Sequence, residues 1–107
     1  MATTPPPMAD VLARMWTKFL PDIEARVATL EAAARALDAG SLPEDARDAA
    51  HAAAHKLAGT LGMFGLPRGT ELARRAELLL VEDVSAADAD ELTGWVTEIR
   101  DLIHSRG

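Results

Sequence analysis

The sequence predicts an all-α fold, an antiparallel up-and-down four-helix bundle with an additional short N-terminal helix. Three observations lead there. Apolar residues make up 49% of the chain, yet aromatics only 4%, with no tyrosine. Alanine, leucine, arginine and glutamate are abundant instead, and these lose little side-chain freedom in a helix. Apolar residues also recur at three- and four-residue steps, the pattern of a helix with one buried stripe. The breaks between periodic segments are short, which makes consecutive helices antiparallel neighbours. A chain of 107 residues fits a single core.

Met1 to Pro7, with three consecutive prolines, reads as a loose tail or linker, and residues 8–107 as the bundle. The first helix runs from about Met8 to Leu20, with Val11, Leu12, Met15, Trp16 and Phe19 on one side. Pro21 predicts a break or kink there, since proline has no amide hydrogen for the helical ladder. The second spans about Asp22 to Ala39, with Ile23, Val27, Leu30, Ala34 and Leu37 inward, and Gly40 ends it. The third, about Pro43 to Phe64, buries Ala50, Ala54, Leu57, Leu61 and Phe64. After Leu66-Pro67 a fourth reaches about Val81, with Leu72, Ala76, Leu79 and Leu80 inward. Ser85, with Asp88 three positions on, reads as the cap of the last helix, which carries Leu92, Trp95, Val96, Ile99, Leu102 and Ile103.

Composition removes several function classes. With no cysteine there are no disulfides, thiolate zinc sites or thiol nucleophiles. No apolar stretch approaches the roughly 20 residues that span a bilayer, and the N-terminus lacks the basic start and apolar core of a signal peptide. A net charge of −6, from 17 acidic and 11 basic residues, disfavours nucleic acid and anionic lipid as partners. A cytoplasmic monomer is expected.

The informative stretch is Ala54-His55-Lys56-Leu57-Ala58-Gly59-Thr60-Leu61-Gly62-Met63-Phe64-Gly65. His55 follows Ala54 of the buried stripe, so at about 100° per residue its imidazole emerges at the edge of the core face. Gly59 and Gly62 follow on the same side, one and two turns on. Each costs roughly 1 kcal/mol against alanine inside a helix. A flat face open to another protein's active site would offset that cost, and so would close packing between helices. His51 and His55, four apart, have the spacing of two metal ligands, but no glutamate lies between them and no carboxylate cluster completes a shell. The serines, Ser41, Ser85 and Ser105, sit at expected caps or the tail and offer no triad.

The stretch closely resembles the phosphorylation motif of histidine phosphotransfer (HPt) domains, His-x-Leu-Lys-Gly followed by a later glycine. His55, Leu57, Gly59 and Gly65 fall on its positions, and helix number and order agree from about Met8 onward. The resemblance implies a phosphorelay intermediate that accepts a phosphoryl group on His55. It would exchange that group with the aspartate of a response-regulator receiver domain or with a histidine kinase, without kinase activity of its own. The receiver would bring the aspartate and Mg²⁺, and this chain no cofactor. The implied docking surface comprises His51, Ala52, Lys56, Ala58, Gly59 and Gly62, with Arg68 at its edge, and His51 either orients the imidazole or is merely solvated. The sequence departs from the family at Ala58, where lysine is usual and is thought to hold the phosphoryl oxygens or the partner. Lys56 or Arg68 is the candidate to replace that charge. Ala58 also sustains an alternative, a degenerate adaptor that docks receivers without transfer.

Overall fold

A computed structural model describes residues 7–81 and 84–106. The first helix, α1, spans Met8–Asp38 without interruption. The break expected at Leu20-Pro21, and with it a separate short N-terminal helix, is therefore not present. Proline inside a helix costs about 3 kcal/mol, and burial on both sides of it offsets that cost. Trp16, Ile23, Leu30 and Leu37 are all buried, seven residues apart in turn, with Val27 and Ala34 between them in the same register. A break would take Trp16 out of phase with Ile23. Pro21 itself is exposed, so the carbonyl that loses its helical partner lies on the solvent side. The tail expected over residues 1–7 lies outside the described residues except for Pro7, whose carbonyl accepts the first backbone bonds of α1 from Asp10 and Val11.

Gly40, at φ +91°, closes α1 in the left-handed conformation, and Ser41 N–H reaches back to Ala36 O at 3.0 Å. The second helix, α2, spans Glu44–Met63 and ends the same way, with Gly65 at φ +73° and Leu66 N–H bonded to Leu61 O at 2.9 Å. In both turns an L side chain would be strained, which accounts for these two glycines. The third helix, α3, spans Pro67–Leu79, slightly shorter than expected, with proline in its first turn where no amide hydrogen is needed. A 3₁₀ turn at Ala86–Asp88 leads into the fourth helix, α4, Ala89–Arg106. Ser85 N–H donates to the Asp88 carboxylate at 2.9 Å, as the Ser-x-x-Asp spacing predicts.

The described residues contain no strand. α1 packs on α2, α2 on α3, α3 on α4 and α4 on α1, closing the bundle into a ring. The predicted stripes of α1 beyond Pro21, of α2 and of α4 form the core, with Trp95 and Leu102 only partly covered. Ala33, Ala53, Ala58, Ala73 and Ala89 are buried as well. At one end the Arg106 guanidinium lies 4.6 Å from the Trp16 ring centre, and Trp16 meets Phe64 edge-on at 5.2 Å. Two ion pairs tie α4 to its neighbours: Arg100 with Glu31 of α1, and Arg68 of α3 with Glu98.

Candidate functional site

The geometry of the site follows from how α3 is seated on α2. The Thr70 hydroxyl donates to the Ala58 carbonyl at 2.8 Å. A Cβ on Gly69 would stand 2.9 Å from Leu61 Cδ1, and one on Gly62 would stand 3.1 Å from Thr70 Oγ1. Small residues on both helices thus let the backbones approach closely. Ala58 is nearly fully buried at this contact.

One turn before Gly59, His55 emerges with its side chain 73% exposed. Glu77 arrives from α3, and its Oε2 lies 2.6 Å from His55 Nδ1. A carboxylate only accepts, so at this distance Nδ1 carries the proton, and in the neutral ring the lone pair is on Nε2. The same Glu77 oxygen is 3.9 Å from His51 Nε2, so two imidazoles one helical turn apart face a single carboxylate. His55, Ala58 and Gly59 of α2 line an open groove with Arg74, Glu77 and Leu78 of α3.

The predicted residues thus divide. His55, Ala58 and Gly59 come together in the groove, Ala58 as its floor, and His51 adjoins it through Glu77. A Cβ on Gly59 would meet nothing within 4 Å, so the helix backbone is open to an approaching molecule there. Gly62 serves helix packing against Thr70 instead. Ala52 and Lys56 are exposed on α2 without lining the groove. Arg68 is committed elsewhere: its Nε and Nη2 bond both Glu98 oxygens at 2.7 and 3.2 Å, and Nη1 bonds Glu71 at 3.0 Å. These bonds, to Glu98 first and then Glu71, raise the Arg68 pKa and lower those of both carboxylates. Sequence reading missed Arg74 and Leu78 and gave Glu77 no contact. The available signal was spacing, since Thr70, Arg74, Glu77 and Leu78 recur at helical steps beside the buried stripe of α3. Among the described residues no group of three or more His, Asp or Glu is arranged to hold a metal ion.

The histidine thus stands exposed and carboxylate-bonded in the middle of the second helix of a helical bundle. The family model described as Hpt domain matches residues 14–105. The chain belongs to the Hpt domain family. Neither the curated proteins nor the solved structures gave a match. Membership places this Hpt domain in two-component phosphorelay signalling. Hpt domains are phosphocarrier modules rather than kinases, and they interact with receiver domains and histidine kinases. Among the described residues no helix is long and apolar enough to cross a membrane.

Proposed function

We propose that this Hpt domain carries a phosphoryl group on Nε2 of His55 and exchanges it with the aspartate of a receiver domain or with a histidine kinase. The observation that carries this reading is the 2.6 Å contact between His55 Nδ1 and Glu77 on a ring otherwise open to solvent. Holding the proton on Nδ1 fixes the tautomer and presents the Nε2 lone pair outward. Phosphoryl transfer asks mainly for in-line positioning and charge neutralisation. As Nε2 bonds to phosphorus, the bond from phosphorus to the aspartate oxygen breaks and its electron pair stays on the aspartate. The imidazole ring gains positive charge, which the Glu77 carboxylate stabilises, and the reverse step returns the group. In this scheme Mg²⁺ and the acceptor aspartate belong to the receiver, which docks over the open backbone at Gly59 and the exposed Leu78. The setting we propose is a monomer acting in the cytoplasm.

Ala58 favours a second reading, an adaptor that binds receivers without taking phosphate. One experiment separates the two. A receiver domain charged with [³²P]acetyl phosphate is incubated with the wild-type protein and with His55→Gln. The phosphocarrier reading expects an acid-labile, alkali-stable label on the wild type and none on the variant. Label that persists on His55→Gln overturns the site, and a bound but unlabelled wild type favours the adaptor.

A further inference from the structure

We propose that Arg74 is the side chain of this domain that holds the oxygens of the transferring phosphoryl group, in place of the lysine that position 58 lacks. The inference rests on the phosphocarrier reading and adds a residue to it. Arg74 lines the groove with His55, on the turn of α3 before Glu77. Ala58 can neither supply a charge nor stand in the way. With its carbonyl bonded to Thr70, it lies between α2 and α3 in the groove that His55 and Arg74 both line.

The state of the neighbouring cations sharpens the assignment. Arg68 is held by Glu98 and Glu71, and Arg75 bonds Glu71 at 2.6 Å. Arg74 makes no hydrogen bond or ion pair among the described residues. The carboxylate three residues further along α3, a natural partner for it, is Glu77, which instead bonds His55. Lys56 projects about 100° around α2 from His55 and does not line the groove.

The chemistry favours such a cation. Glu77 stabilises the charged imidazole but repels the anionic phosphoryl group beside it. A guanidinium offers a planar fork of donors that matches two phosphoryl oxygens. During transfer the Nδ1 proton stays shared with Glu77, while Arg74 N–H groups donate to the phosphoryl oxygens before and after the bond to Nε2 forms.

The test uses potassium phosphoramidate, whose P–N bond breaks with release of ammonia as Nε2 is phosphorylated, so no partner protein is needed. Rates of His55 phosphorylation are compared for wild type, Arg74→Ala, Arg74→Lys and Arg75→Ala, with helix content checked by circular dichroism. The ³¹P resonance of the phosphorylated protein is then titrated against pH. Arg74→Ala should slow phosphorylation at least tenfold and move the phosphoryl ionisation to higher pH. Arg74→Lys should recover part of both, and Arg75→Ala should match the wild type. A wild type that takes no label on His55 overturns the phosphocarrier reading and this inference together. If the wild type is labelled but Arg74→Ala reacts at its rate, or slows without moving the ³¹P titration, the Arg74 assignment alone falls.

Discussion

The two halves of the bundle are built from different materials. Where α1 meets α4 the core is Trp16, Ile23, Val27, Leu30, Leu37, Leu92, Val96, Ile99 and Ile103, and Arg100 clamps Glu31 across the partly buried edge through two bonds of 2.8 and 2.6 Å. Where α2 meets α3, alanines and glycine fill much of the contact, with Leu57, Leu61 and Leu72 between them. Large side chains make the first half a source of stability with no reactive group in it. Small ones make the second half a close fit that holds Glu77 against His55 and leaves the backbone at Gly59 bare. Stability and chemistry are therefore separable in this fold, and three substitutions of decreasing effect test how far.

Leu30→Ala opens a cavity at a fully buried site on α1 that does not line the groove. It should cost about 2–5 kcal/mol in denaturant unfolding, yet the folded fraction should accept phosphate at the wild-type rate. A lower rate in the folded protein would show that the halves are coupled. Gly69→Val works in the other half. Its Cβ alone would come within 2.9 Å of a Leu61 methyl that is itself buried, and overpacking of this kind costs about 1–3 kcal/mol. Because α3 must move outward, the His55–Glu77 bond should lengthen and phosphorylation should slow several-fold. Unchanged transfer with lowered stability would mean that the close fit is not what positions Glu77.

The smallest effect concerns pH. The Arg100 hydrogen bonds hold the Glu31 carboxyl below its ordinary value of 4.5. The unfolded chain therefore binds more protons than the folded one in the window below 4.5, so the pair's contribution is complete above that window. It is lost as pH falls through the lowered folded value. Arg100→Gln should remove no more than about 1 kcal/mol at neutral pH and flatten the acid limb of the stability curve. An acid limb as steep as the wild type's would assign it to other carboxylates.

The same contrast decides what could be read in the sequence. Large apolar residues announce themselves by spacing, so the stripes of α1 beyond Pro21, of α2 and of α4 were legible in the sequence. The break wrongly expected at Pro21 came from weighing a local rule above register. The seven-residue steps from Trp16 through Ile23 to Leu30 run across the proline unchanged and would have indicated a single helix. Alanine carries little periodic signal, which hid the burial of Ala58 and Ala73 and so the closeness of α3. Arg68 looked available because a one-dimensional reading cannot see Glu98, thirty residues away, at its side. Glu77 is 22 residues from His55 and became a partner only once α3 was seated.

The position of His55 within α2 has a consequence for how the domain moves. Helices fray from their ends, and His55 lies near the middle of a helix anchored by Pro43 before it and by the Gly65 turn after it. Backbone amides around it should therefore exchange with solvent deuterium among the slowest in the chain, opening only with global unfolding. On the proposed reading, an acceptor mounted in so firmly anchored a helix would meet each partner in one fixed pose, leaving any adjustment during docking to the visiting protein.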